Sequence, residues 1–335
     1  MLFLDIMKLQ SLIPGQEVHL VVLNNEFKLL DEITEELQFK INLIGRPEGS
    51  CNPKWIIKYN YILHKIKPDI IHFHNPGTPA LTIKTKNSRW IETLHTSGLS
   101  LKNRKNIDKI VAISLGVKKD LFHRYGIISE TIYNGINFND IDKNLNLFSP
   151  VIYKIVQVGS LNPEIKGQDI LLRSISELPG NYQDKVQVEF IGAGEQNRLK
   201  QLASELKIDH LVSFKGRLTR KELYRRLKEY HILVQPSRQE GFGLSIVEGL
   251  AAGLPVVVSD VEGPMEIIEH GERGLFFPSG NHKTLADKII ELIDNYRYYK
   301  ERAIVSANKL LNKKYSINRV AENYLQLYEK CLIDG

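Results

Sequence analysis

Short runs of β-branched and aliphatic residues alternate along this chain with longer stretches whose apolar positions recur every three or four residues. The first pattern marks strands buried on both faces and the second marks the helices that cover them, which together predict parallel α/β sheets. In the first half the strand-like runs are EVHLVVL, FKINLI, DIIHFH, WIETL, KIVAIS and ETIYN. In the second they are KIVQVG, VQVEFI, LVSF, HILVQP, PVVVSD and GLFF. Between the two sets, NFNDIDKNLNLFSP is polar, lacks periodicity and ends at Pro150, so it reads as a linker. The 335 residues also exceed what one core usually organises. The expected fold is therefore two doubly wound, Rossmann-like domains, residues 1–148 and 149–314, with ligands in a cleft at the carboxyl ends of the strands. Residues 315–335 read as a helix that crosses back to the first domain, with Val320, Tyr324, Leu327, Tyr328 and Leu332 as its buried stripe.

The most informative stretch is PSRQEGFGLSIVEGLAAGLPVVVSD, residues 236–260. Glu240 precedes Gly241, Phe242 and Gly243, and a helical run from about Leu244 to Ala252 ends at Gly253 and Pro255. Glycines at a helix start let a ligand touch the backbone, and the free N–H groups there favour an anion, most often a phosphate. Glu248, eight positions after Glu240, lies two turns further on, where its carboxylate can accept hydrogen bonds from a pair of hydroxyls. Two carboxylates beside a phosphate cradle suggest a sugar nucleotide. The plainer alternative is a surface loop followed by a capped helix.

Composition narrows the class. The only cysteines, Cys51 and Cys331, stand near opposite ends, which argues against a disulfide framework and against a cysteine-ligated metal. No run has the length of a membrane span, and MLFLDIMKLQ lacks the basic leader of a signal peptide, so a cytoplasmic protein is expected. The net charge of +6 is unevenly spread: residues 51–124 hold fourteen Lys and Arg against four acidic residues, whereas the first fifty hold four basic and eight acidic. Such a block suits an anionic membrane surface, making the protein peripheral on the inner face of the cytoplasmic membrane, or else a solvated basic face. Nucleic acid is not expected, because the chain carries no helix-turn-helix, zinc-finger or RNA-binding signature.

In order along the chain, SRWIETLHTSG, IDKIVAISLGVKKDLFHRYG, IYNGIN, VGSLNPEIKGQDILL, FIGAGEQNRL, FKGRLTRKELYRRL and the 236–260 segment resemble the retaining glycosyltransferases of family 4, which have the GT-B architecture. The resemblance runs from about Gly15 to the C-terminus. It implies transfer of a sugar from a nucleoside-diphosphate sugar to a hydroxyl of a carbohydrate or lipid-linked glycan acceptor, with retention and without a bound metal or other cofactor. Assembly of lipopolysaccharide or another cell-surface polysaccharide is the implied context. By the same resemblance Lys166 meets the donor diphosphate, Glu248 the ribose hydroxyls and Glu240 the donor sugar near the reacting carbon. The backbone at Phe242, Gly243 and Leu244 meets sugar and phosphates, Arg217 and Leu218 flank the base, and His95 faces the sugar from the first domain.

Two departures stand out. Where the family commonly has arginine after the glycine of VGSL, this chain has Gly159 followed by Ser160, a single hydroxyl in place of a bidentate cation. The family's first strand and glycine-rich loop also have no counterpart: LFLDIMKLQSLIPGQEVHLVVL reads as the first helix, a turn and what would be the second strand. The absent strand is central in a doubly wound sheet, so its two neighbours would lose their partner. These departures keep open a non-catalytic relative that binds a sugar nucleotide or a partner protein, beside a GT-B sugar-nucleotide epimerase or hydrolase. Among weaker signals, His72 and His74 point the same way at a strand end and suit polar contacts better than a metal triad with His95. The GAGE turn at Gly192 and the helix-capping Ser114 read as structural.

Overall fold

The computed structural model describes residues 2–25, 39–101, 104–307 and 312–333. Two compact units emerge, one formed by Met1–Gly135 with Ile317–Gly335 and the other by Ile136–Ser316. All twelve strand-like runs form strands, and every strand pair is parallel.

The first unit begins with α1 (Leu2–Ser11), β1 (His19–Asn24), β2 (Lys40–Arg46) and α2 (Lys54–Ile66). It continues through β3 (Ile70–Phe73), β4 (Arg89–Leu94), β5 (Lys109–Ala112), α3 (Leu115–Tyr125) and β6 (Glu130–Thr131). Its strands make two sheets, β1-β2 and β3-β4-β5-β6, and among the described residues no strand joins β1 to β3. Packing spans the break in the ladder. Val21 and Leu23 of β1 share a core with Ile71 and Phe73 of β3 beneath Tyr59 and Leu63 of α2. Side chains alternate across β4 as a strand's period of two requires: Trp90 joins that core, and Ile91 joins the opposite one with Ile6 of α1.

The second unit runs β7 (Tyr153–Val158), α4 (Pro163–Lys166), α5 (Gln168–Glu177), α6 (Gly180–Gln183), β8 (Val186–Ile191), α7 (Gln196–Glu205) and β9 (Val212–Gly216). Then follow α8 (Arg220–Arg226), β10 (Ile232–Gln235), α9 (Leu244–Ala251), β11 (Val256–Ser259), α10 (Glu262–Ile267) and β12 (Leu275–Phe277). It closes with α11 (His282–Asp294), α12 (Tyr296–Ser306) and α13 (Asn312–Tyr315). The single sheet has the order β12-β11-β10-β7-β8-β9. Its core centres on Ile155, Leu171, Val188, Phe190, Leu285 and Ile289, all fully buried.

The boundary between units differs from the expected end of the first domain at residue 148. Residues 136–148 belong to the second unit because their polar groups bind its backbone: Asn144 N–H donates to the Ala252 carbonyl (2.8 Å) and the Asn144 side-chain amide to that of Tyr230 (2.9 Å). A segment rich in asparagine thus serves as a hydrogen-bonded strap. At the other end Ile136 N–H donates to the Tyr315 carbonyl (2.9 Å), which keeps residues 315 and 316 with the second unit. Helix α14 (Ile317–Ile333) then belongs to the first, against Ile6, Ile91 and Val111. Val320, Tyr324 and Leu327 are buried there, but Leu332 is exposed and Cys331 takes its place, because 320, 324, 327 and 331 stay on one helical stripe and 332 turns off it.

Candidate functional site

In the second unit the chain passes from β7 to β8 and β9 on one side and returns to β10 on the other, so the loops after β7 and β10 diverge at a topological switch point. Two glycines allow the surrounding backbones to meet. A Cβ on Gly167, whose φ is +67°, would lie 2.0 Å from the Pro236 carbonyl oxygen, and one on Gly192 would lie 1.7 Å from that of Gly159. The N–H groups of Arg238 and Gln239 donate to the Ile165 carbonyl, and the Arg238 guanidinium grips the Asp169 carboxylate through two bonds of 2.7 Å. Gln157, buried in β7, donates to the Lys166 carbonyl (2.7 Å). This framework brings two of the expected residues together: Lys166 Nζ donates to Glu240 Oε2 at 2.6 Å, with both side chains only partly exposed.

Gly243 (φ +106°) occupies the N-cap of α9, and no side chain caps that helix. The amides of Leu244 and Ser245, the first two of α9, have no intrahelical acceptor, whereas that of Ile246 donates to the Gly243 carbonyl (2.9 Å), and this helix start presents an anion-favouring field. Beside them the Phe242 ring is buried edge-on against Tyr315, with centroids 5.4 Å apart, so the ring serves packing. A Cβ on Gly263 would fall 2.8 Å from the carbonyl oxygens of Glu240 and Phe242, which shows how closely α10 backs this loop. Gln235 links loop to helix, donating to Ser237 Oγ (2.9 Å) and accepting from Ser245 Oγ (3.2 Å).

Glu248 stands one turn into α9, not two, because three of the eight positions after Glu240 are still loop or cap. It accepts from the Tyr224 hydroxyl at 3.1 Å. Burial pushes its carboxyl up to about 7, against the opposing pull of that hydrogen bond and of the Arg220 charge. Arg217 and Leu218 follow β9 and precede α8, whose start is fixed by a capping box between Thr219 and Glu222. Gly159 and the exposed Ser160 sit where β7 ends, and Gln168 donates to the Ser160 carbonyl (2.9 Å). The turn at Gly192–Glu195 closes on Leu161, whose N–H and carbonyl bond Ala193 and Glu195, a structural use of its glycines.

His95 lies in the first unit, just past β4, with its Nε2 3.1 Å from Nδ1 of His74. Burial lowers the pKa of both rings. His72 has both ring nitrogens engaged, with the Tyr328 hydroxyl (2.6 Å) and Thr93 Oγ1 (2.7 Å), and burial takes it down to about 3. These rings are neutral at pH 7; His74 and His95 share a hydrogen bond, and His72 packs its ring on His74 with centroids 4.2 Å apart. Below them Glu92, fully buried, pairs with Arg104 at 2.6 Å, and Arg104 also donates to the Pro76 carbonyl (2.7 Å), tying two loops to β4.

Sequence reasoning missed Gln157, Asp169, Tyr224, Gln235 and Arg238. For the two glutamines a signal existed: each is a polar residue inside an otherwise apolar buried strand, where an amide must find a partner.

Two Rossmann-like units, one carrying a lysine–carboxylate pair and a glycine-started helix at its switch point, define a GT-B glycosyltransferase. Residues 14–140 match the family described as Glycosyltransferase Family 4, and residues 142–310 the one described as Glycosyl transferases group 1. The chain belongs to this family of glycosyltransferases. It is 31% identical to an uncharacterized glycosyltransferase of Methanocaldococcus jannaschii, over 78% of this chain and 75% of that one. It is 27% identical to the phosphatidyl-myo-inositol mannosyltransferase of Mycobacterium leprae, over 80% of this chain and 75% of that one. Among solved structures, Anabaena HepE in complex with UDP-glucose superposes with a TM-score of 0.82 at 20% identity, over 98% of this chain and 95% of that one.

Proposed function

We propose that the protein moves a hexose from a nucleoside-diphosphate sugar to a hydroxyl of a carbohydrate or lipid-linked glycan, with retention of anomeric configuration, in the assembly of a cell-surface glycan. The observation that carries this reading is the Lys166–Glu240 pair held beside the amides of α9. Without donor the two side chains satisfy each other. An entering donor replaces that contact, its diphosphate taking the ammonium and a sugar hydroxyl the carboxylate. The C1–O bond to the diphosphate then breaks while the acceptor oxygen bonds C1 on the same face, and the acceptor proton passes to the departing phosphate oxygen. Lys166 and the backbone of Gly243 and Leu244 hold the charge that grows on the leaving group. Glu248 accepts from the ribose diol, Arg217 and Leu218 border the base, and neutral His95 orients the sugar. No metal or other cofactor enters this scheme.

Calorimetric titration of the purified chain with UDP, GDP and ADP tests the reading, with Lys166→Ala and Glu248→Ala as controls. One nucleotide binds, and both substitutions weaken it. UDP is the first candidate because HepE is seen with UDP-glucose. A folded protein that bound none of the three would overturn the reading.

Glu248 gives the donor site a pH signature. A ribose diol donates to an ionised carboxylate better than to a neutral carboxyl, and with a pKa of about 7 the ionised fraction rises as the pH does. Affinity for a nucleotide sugar, whose diphosphate does not titrate in this range, therefore increases about tenfold between roughly pH 6 and 8. Glu248→Gln flattens the profile, and a wild-type profile already flat would contradict the assignment.

Ser160→Arg restores a fork able to grip phosphate, so donor affinity rises about fivefold in isothermal titration. No gain would place Ser160 away from the diphosphate. Ser160, which offers one exposed hydroxyl and no cation at the end of β7, favours a second reading, a relative that binds sugar nucleotide without transferring it. Nucleotide binding with no turnover on any glycan acceptor supports that reading; acceptor-dependent release of nucleotide excludes it, together with epimerase and hydrolase activity.

A further inference from the structure

Helix α8 is short, and several bonds fix its place. The Thr219–Glu222 capping box sets its first turn, Asp142 N–H donates to the Tyr224 carbonyl (3.3 Å), and Lys228, just past the helix, pairs with Asp142 at 2.6 Å. Arg220 and Tyr224 stand four positions apart and so share one face of the helix. That face is turned to Glu248: the buried Tyr224 donates its hydroxyl to Glu248 Oε1 at 3.1 Å, and the Arg220 charge acts on the same carboxylate. Helix α9 in turn lies tight on β10, where a Cβ on Gly249 would fall 2.6 Å from Leu233 Cδ1. Two anchored helices thus meet through a hydroxyl–carboxylate bond.

Burial opposes the charge of Glu248 and pushes its carboxyl up to about 7, while Tyr224 and Arg220 pull the other way. Lys300 of α12 bonds the Gly253 carbonyl (2.7 Å) past the far end of α9, and neither it nor the α10 glutamates, Glu262 and Glu266, adds to the charge balance at Glu248. The hydrogen bond at Oε1 also fixes the turn of the carboxylate about its last bond, which leaves its remaining lone pairs in a set direction for a donor. An ionised carboxylate only accepts, whereas the neutral form carries a proton that must itself find an acceptor. A ribose donates two neighbouring hydroxyls and a 2′-deoxyribose one. The difference in affinity between the two sugars therefore reads how well Glu248 accepts.

We propose that Tyr224 and Arg220 are positioning residues for Glu248, which from one face of α8 orient its carboxylate and keep it an acceptor, and so set the preference of the donor site for a ribose over a 2′-deoxyribose nucleotide sugar. The proposal rests on the reading of Glu248 as the ribose-binding carboxylate. Calorimetric titration of the whole chain with UDP-glucose and with its 2′-deoxyribose analogue, between roughly pH 6 and 8.5, tests it. The wild type prefers the ribose form by about tenfold at the alkaline end and loses most of that preference at the acid end. Tyr224→Phe keeps the ring in its packing and removes only the hydroxyl, so the profile moves to higher pH and the preference at pH 7 falls about threefold, while affinity for the deoxyribose form is unchanged. Arg220→Gln moves the profile the same way. NMR titration of the glutamate side-chain carboxyl carbons, with Glu248→Gln to assign the resonance, shows the same upward shift in Tyr224→Phe without any ligand. A residue with a merely structural role would weaken both sugars equally and leave the profile in place. That result, or a Tyr224→Phe profile and carboxyl titration identical to wild type beside a wild-type ribose preference, overturns this proposal alone. A wild type that bound neither nucleotide sugar would overturn the donor-site reading and this proposal with it.

Discussion

Lys166→Ala lowers the turnover of glycosyl transfer by about 10²–10³-fold, the size seen when one preorganised partner of a developing negative charge is removed. The lysine acts where charge grows, on the diphosphate oxygen that leaves C1, so the loss falls on kcat more than on KM. Binding of free nucleoside diphosphate weakens as well, because that product carries the full charge. Glu240→Gln keeps the shape and one acceptor oxygen of its side chain but removes its charge, and in the free protein it leaves the Lys166 ammonium, now 2.6 Å from a carboxylate, beside a neutral amide. That substitution therefore tightens nucleotide diphosphate, since the ammonium no longer has a competing carboxylate, while it slows transfer. Steady-state kinetics with titration calorimetry on the two single variants and the double variant check both statements. Additive effects of the two substitutions on nucleotide affinity would sink the idea that the pair opens to admit the donor, because residues in direct contact couple.

Much of this was legible in the sequence, for identifiable reasons. Buried parallel strands read as continuous apolar runs, and all twelve were found from that pattern. The glycine–carboxylate loop was legible because its function uses backbone conformation, and few residues but glycine reach a φ of +106° at a helix start. The extent of the second unit was not, because residues 136–148 have the composition of a linker and gain their place through contacts distant in sequence: hydrogen bonds to carbonyls more than eighty residues away, the Asp142–Lys228 pair and the buried Phe138 and Ile141. Nor was the Arg238–Asp169 clamp, which joins residues 69 positions apart with no periodic signature. The break between β1 and β3 was expected from the order of the strand-like runs, but the way α2 packs across it follows from side chains on three elements at once.

Gly167→Ala tests the architecture rather than the chemistry of the donor site. The residue follows Lys166 directly and has φ +67°, a conformation that costs an L-residue about 1–2 kcal/mol. Its new Cβ would also stand 2.0 Å from the Pro236 carbonyl oxygen, and because the obstacle is backbone, no side-chain rotation relieves the overlap. Relief requires separating α4 from the loop after β10, which breaks the bonds from Arg238 and Gln239 to Ile165 and draws Lys166 from Glu240. Strain and lost contacts together destabilise the protein by about 3–4 kcal/mol, which lowers the melting temperature by on the order of 10 °C. Nucleotide binding is lost with it, although every side chain assigned to the nucleotide remains present. Gly180→Ala is the control: its Cβ meets nothing within 4 Å and it opens α6, so stability and binding stay at wild-type levels. If Gly167→Ala melted like the wild type and bound nucleotide equally well, the close approach of α4 to the β10 loop could not be what positions Lys166.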